Sequence, residues 1–152
     1  MDPSDRKARF YARTMHTPDD PVRARFRDAL RELSRALIPL HRRLIDAARD
    51  EYAFAYQPVG NPSQLLQLLQ EDPFFAWLKP VTSLIVDIDE MARTDFERAD
   101  IDRIAARAEQ LFGATEQNEF TEKYVPILQG DVDVAIGHAA VRQVLAKLGE
   151  RA

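Results

Sequence analysis

Residues 21–56, PVRARFRDALRELSRALIPLHRRLIDAARDEYAFAY, decide the fold of this chain. Apolar side chains recur there at steps of three or four, which places them on one face of an α-helix with 3.6 residues per turn. Asp20 can cap this helix, and Pro21 suits the first turn, where a missing backbone N–H costs nothing. The predicted stripe consists of Val22, Phe26, Leu30, Leu33, Leu37, Leu40, Leu44, Ala48, Tyr52 and Tyr56.

Pro39 lies inside this predicted helix. A proline in a helix interior removes one backbone hydrogen bond and clashes with the preceding turn, at a cost of ~3 kcal/mol or more unless the helix bends. Because the apolar stripe keeps its phase across Pro39, the pattern favours one kinked helix. Two separate helices are the alternative.

Helical spacing continues beyond the turn at residues 58–62. Asn61 and Pro62 are typical of a helix start, and a short leucine-rich helix follows them. Asp72 and Pro73 repeat this start signal for a helix that extends to about Arg93. Pro80 lies within that helix and predicts a second kink.

The rest of the chain predicts three more helices. The first starts at Thr94 or Asp100 and ends at Gly113, a residue common after helix ends. A shorter helix contains Pro126, and the last one extends beyond Val134. We therefore predict an all-α, single-domain bundle over residues 21–152, with five to six proline-kinked helices and a core like that of a four-helix bundle.

Charge is unevenly distributed along the chain. Residues 1–50 contain 12 Lys and Arg against 8 Asp and Glu, whereas the remaining residues contain 9 against 17. Residues 1–20 are predicted to be a basic arm in which a short helix can form, with four basic residues and three apolar ones: Arg6, Lys7, Arg9, Arg13, Phe10, Tyr11 and Met15. The overall pI near 5.4 argues against a nucleic-acid-binding protein.

The sequence carries no recognisable motif for catalysis, metal binding or membrane insertion. The chain has no cysteine, no Glu-x-x-His pair, no Gly-x-Ser-x-Gly turn and no glycine-rich phosphate loop. Its apolar runs are too short to cross a bilayer, and it begins without the apolar stretch of a secretory signal. We expect a cytoplasmic protein without a catalytic residue, cofactor or metal ion, and neither a membrane nor a nucleic acid is the expected partner.

The segment from Asp72 to Pro80, DPFFAWLKP, is the first candidate interaction site. Its turn carries aromatic side chains on two faces, so it is either covered on both sides by its own fold or partly exposed to a partner. Cover by the chain itself is favoured, because a leucine-rich helix is adjacent. The candidate interaction residues are Phe74, Phe75, Trp77 and Lys79.

A pocket between kinked helices is the second candidate site. Internal prolines free backbone carbonyls and open gaps between helices, where helical bundles hold ligands. The candidate lining residues are His41, Tyr52, Trp77, Asp87 and Asp89. A solvated helix face is the alternative explanation of the two aspartates.

The segments HRRLID (41–46), LLQLL (65–69), DPFFAWLKP (72–80) and LIVDIDE (84–90) together resemble a group of small bacterial proteins that have only hypothetical status. The resemblance covers most of residues 40–148. It implies a bacterial cytosolic origin and no particular activity, ligand or catalytic residue.

The leading functional hypothesis is a non-enzymatic helical protein–protein interaction module, either a homodimer or an accessory subunit. A bundle that binds a small molecule, or an enzyme with a pocket between its kinked helices, is the first alternative. Electrostatic docking of the basic N-terminal third to an anionic partner is the second.

Overall fold

A computed structural model describes residues 20–113 and 117–151. Those residues form six α-helices and one 3-10 helix and contain no strand, which confirms the predicted all-α bundle. Of the predicted basic arm, residues 1–19 lie outside the described residues. In chain order the helices are α1 (Asp20–Ala55), α2 (Pro62–Glu71), the 3-10 helix (Pro73–Leu78), α3 (Lys79–Arg93), α4 (Arg98–Phe112), α5 (Glu119–Gly130) and α6 (Val132–Arg151).

Helix α1 runs without interruption through Pro39, as predicted, over 36 residues or about 54 Å. The predicted stripe is buried from Phe26 to Tyr52. Its two outermost members, Val22 and Tyr56, remain 44% and 69% exposed. The rest of the fold therefore covers the middle of α1 more completely than its ends.

Helix α3 packs along one side of α1. Ser34 donates a hydrogen bond to Asp89 at 2.7 Å, and His41 is hydrogen-bonded to Thr82 at 2.9 Å. Because the residue numbers rise along α1 as they fall along α3, the two helices are antiparallel.

Helix α6 packs along the other side of α1, also antiparallel to it. Lys147 contacts Glu32 near one end of the pair, and Arg43 contacts Asp131 near the other, at distances of 3.0 and 3.1 Å. Helix α4 closes the bundle, since it contacts both α3 and α6. The four longest α-helices of the described chain thus form an up-and-down arrangement, α1–α3–α4–α6.

The expected kink at Pro80 is wrong. Residues 73–78 form a 3-10 helix, and α3 begins at Lys79, so Pro80 occupies the first turn of α3. A proline N–H is not needed there, because the first backbone N–H groups of a helix have no partner within the helix. Pro126 does lie inside a helix, α5, as predicted.

Side-chain caps mark the starts of helices α2 and α4. Asn61 accepts a hydrogen bond from the backbone of Gln64 and caps α2, as predicted. The start of α4 differs from both predicted positions, because Glu97 is its N-cap and Asp100 accepts from the backbone N–H of Glu97. Asp100 therefore completes a capping box as the third residue after the N-cap Glu97.

Gly137 allows α1 and α6 to approach closely. A Cβ atom at this position would lie 3.2 Å from Leu40 Cδ1 and 3.3 Å from Leu40 Cβ. Leu40 is buried against α6, so its side chain has little free space to move into. A larger side chain at residue 137 would push the two helices apart.

We predict that Gly137→Val destabilises the fold by about 1–3 kcal/mol, the usual cost of overpacking. Gly149→Val is the matched control. Gly149 lies in the same helix, and a Cβ atom there would meet nothing within 4 Å. Urea denaturation followed by circular dichroism at 222 nm measures both. Equal effects of the two substitutions would contradict the close packing of Gly137 on Leu40.

Candidate interaction surface

The aromatic segment 73–78 is covered mainly by its own chain. Phe75 is fully buried and Trp77 is 4% exposed, whereas Phe74 is half-buried and Lys79 is exposed. The structure therefore supports the favoured explanation, in which two layers of the fold cover the two aromatic faces.

Two aromatic groups lie on either side of this segment. The ring of Phe75 lies 5.4 Å from that of Tyr52 at the end of α1. The Trp77 ring lies 5.9 Å from that of Phe120 in α5, and Phe120 stacks on Tyr124 at 4.9 Å. We call this set the aromatic cap: Tyr52, Phe74, Phe75, Trp77, Phe112, Phe120 and Tyr124. It closes the end of the bundle where α1 ends and α3 begins.

The five predicted pocket residues occupy three different places. Asp87 and Asp89 lie on opposite edges of α3, since Asp87 pairs with Arg107 of α4 at 2.6 Å and Asp89 accepts from Ser34 of α1. His41 lies on the same contact between α1 and α3 as Asp89 but contacts Thr82, about two helical turns away from Asp89. Tyr52 and Trp77 belong to the aromatic cap.

The contact between α1 and α3 carries exposed apolar side chains that the sequence analysis did not single out. Ile38 and Val86 are 41% and 56% exposed, and Ile85 is half-buried. The antiparallel register set by Ser34–Asp89 and His41–Thr82 places them at the same height, between those two hydrogen bonds. We call this surface the α1–α3 seam: Ser34, Ile38, His41, Thr82, Ile85, Val86 and Asp89.

A sequence signal for the seam existed. Ile38 directly follows the stripe residue Leu37, and Val86 lies between Ile85 and Asp87, so both are apolar residues that fall outside the buried stripes. The sequence alone could not show that these two residues belong to a binding surface, because single exposed apolar residues are normal on protein surfaces. Only the pairing of the two helices brings them together.

Two histidines have environments that favour the neutral ring. Burial lowers the pKa of His41 in the seam. Burial also lowers the pKa of His138, and the positive charge of Arg142 adds to this effect. Nδ1 of His138 is 2.7 Å from the hydroxyl of Tyr124, whose pKa is raised by burial.

The described part of the chain holds neither a cluster of metal-ligand side chains nor a membrane-spanning helix. Residues 20–113 and 117–151 contain no group of three His, Cys, Asp or Glu side chains arranged to hold a metal ion. None of the helices in these residues has both the length and the apolar content needed to cross a bilayer.

Comparison with known proteins identifies no similar protein. No protein-family model matches the chain, and no curated protein or solved structure is significantly similar to it. Functional inference therefore depends on the surface chemistry of the bundle.

We predict that Phe75→Ala destabilises the fold by about 3–5 kcal/mol, because it removes a fully buried aromatic ring from the cap. Phe54→Ala is the matched control, since Phe54 is 94% exposed, and we expect it to change stability by about 0.5 kcal/mol or less. Guanidinium denaturation gives both values. A small effect of Phe75→Ala would show that segment 73–78 is free to bind a partner.

The lowered histidine pKa values predict a loss of stability in weak acid. The unfolded chain gains protons on these rings as pH falls through about 6.5, while the folded chain resists protonation until the lower folded pKa is reached. The free energy of unfolding should therefore decrease from pH 7 to pH 5. Denaturation measured at each pH should show a shallower decrease in the free energy of unfolding for the double variant His41→Gln/His138→Gln. Equal decreases for the wild-type chain and the variant would exclude the effect.

Proposed function

We propose that this chain is a non-enzymatic helical interaction module that self-associates through the α1–α3 seam. The observation that carries the proposal is the exposure of Ile38 and Val86 at one height of two helices that are joined by hydrogen bonds. Burial of apolar side chains is the main driving force of protein association. A partner that covers these two side chains gains that free energy without rearrangement of the fold.

The seam suits a second copy of the same chain. A dimer that is related by a two-fold axis uses the same surface on both subunits. An axis parallel to the helices would lay α1 of each copy over α3 of the other. In that arrangement the exposed Arg35 of one copy approaches Asp89 of the other, so unlike charges flank the apolar centre.

Within residues 20–113 and 117–151, the candidate pocket residues do not converge on one place, which supports a binding role over an enzymatic one. The carboxylates of Asp87 and Asp89 contact different helices, and His41 is hydrogen-bonded to Thr82. General acid–base chemistry requires such groups within reach of a common substrate. A binding surface requires only complementary shape and charge.

We predict that the wild-type chain at micromolar concentration has twice the 17.4 kDa mass of one chain. Ile38→Glu or Val86→Glu should weaken the association by about tenfold or more, because each variant places an unpaired charge in the apolar centre of the interface. Size-exclusion chromatography with multi-angle light scattering measures the mass as the protein is diluted.

Ile136→Glu is the matched control for this experiment. Ile136 of α6 is 64% exposed and lies away from the seam, so its substitution should leave the mass unchanged. Circular dichroism confirms that each variant is folded. A wild-type chain that is strictly monomeric, or an equal loss of association in the control, contradicts dimerisation through the seam.

A further inference from the structure

A pocket of about 360 Å³ lies between α2 and the end of α1. This volume is within the range of pockets that hold small molecules. Helix α2 lines the pocket with one face, whose residues recur at helical spacing: Gln64, Gln67, Leu68 and Glu71. Tyr52 and Gln57 line it from α1 and the turn that follows, and Asp72 and Pro73 complete the lining. We call this cavity the α2 pocket.

The hydroxyl of Tyr52 is a buried polar group that lacks a partner within the chain. Tyr52 is only 8% exposed, and its ring packs against Phe74 and Phe75 in the aromatic cap. No residue that the structure describes is hydrogen-bonded to its hydroxyl. Since every fully buried polar side-chain atom of the described residues has a partner, this hydroxyl must reach solvent, and the α2 pocket is the cavity that Tyr52 lines. The hydroxyl is therefore available to a ligand in that pocket.

The α2 pocket carries negative charge that no basic side chain compensates. Glu71 and Asp72 line it, and neither forms an ion pair with a residue of the described chain. Its lining contains no Lys, Arg or His. The last turns of α1 and α2 contain no basic residue either. Because the carboxyl end of a helix carries partial negative charge, both helix ends add to the attraction for a cation.

Hydrogen bonds within the α2 pocket leave acceptor atoms available to a ligand. Gln64 accepts from the backbone N–H of Gly60 at 2.8 Å, and one carboxylate oxygen of Asp72 accepts from the backbone N–H of Phe74 at 2.9 Å. The second carboxylate oxygen of Asp72 and the Tyr52 hydroxyl have no such partner in the described chain. A ligand with charged N–H groups satisfies both acceptors, and hydrogen bonds of this kind are stronger than those between neutral groups.

We propose that the α2 pocket binds a small organic cation whose N–H groups donate to the Tyr52 hydroxyl and to the carboxylates of Glu71 and Asp72. Tyr52 is the one member of the aromatic cap that lines the pocket, so binding requires no ring of the cap to move. The site is independent of self-association, because Tyr52 lies about three helical turns beyond His41 of the seam.

Titration of the full-length ¹⁵N-labelled chain with the diamine putrescine tests this proposal. The neutral diol of the same chain length is the matched probe, since it has hydrogen-bonding ends but no charge. At constant pH and ionic strength, the diamine should shift the side-chain amide signals of Gln57, Gln64 and Gln67 until they saturate, whereas the diol should leave them unchanged. We expect affinity in the millimolar range, because exposed charge pairs are individually weak. An equal response to the diol, or no saturable shift with the diamine, overturns the proposal.

Two variants test the named groups. Tyr52→Phe removes only the hydroxyl and should weaken binding of the diamine by about three- to tenfold, the effect of one hydrogen bond. Its urea denaturation midpoint should stay unchanged, because the hydroxyl has no partner in the described chain to lose. Glu71→Gln removes one charge and should weaken binding by about two- to fivefold.

Glu122→Gln is the matched control for Glu71→Gln. Glu122 is exposed and belongs to α5, outside the α2 pocket, so this variant should bind the diamine as the wild-type chain does. An equal loss of affinity in Glu71→Gln and Glu122→Gln would mean that the diamine responds only to the overall charge of the protein, which overturns the proposal. Unchanged affinity in Tyr52→Phe overturns it as well.

Discussion

The burial of one apolar stripe along α1 is the constraint on which the other helices depend. Leu30, Leu33 and Leu37 are fully buried, and α1 contacts α3 on one side and α6 on the other. Burial of each such side chain contributes about 1.5–3 kcal/mol relative to exposure. Because Pro39 is exposed, its ring stays out of the core, and the stripe continues past it to Leu44.

Local signals made much of this fold predictable. The spacing of α1, the Asn61 cap and the Pro62 start of α2 are determined by residues close in sequence, and the structure has each of them. Pro80 was misinterpreted because a proline fits both a kinked helix and the first turn of a new one. In the structure residues 73–78 form a 3-10 helix in which Phe75 packs on Tyr52 of α1 and Trp77 on Phe120 of α5, contacts that the local sequence does not indicate.

The candidate surfaces were harder to predict from the sequence than the helices. Aromatic residues on two faces of segment 73–78 resemble an exposed anchor, but a bundle end must also be closed, and large rings close it efficiently. Ile38 and Val86 are 48 residues apart, so only the antiparallel register of α1 and α3 brings them to one surface. Isolated residues of this kind have no periodic pattern from which a surface could be inferred.

The two ends of the bundle differ in how they are closed, and this difference bears on recognition. At one end the 3-10 helix, α5 and the ends of α1 and α4 supply the aromatic cap, and a partner could enter only by exposing rings such as Phe75. At the other end the connection between α3 and α4 is four residues long, and Phe96 is its one aromatic side chain. Apolar surface is therefore left open beside Val22, where binding requires no disruption of the core. A partner or chain segment that binds the bundle end should favour this side, because the contact adds apolar burial without first removing any.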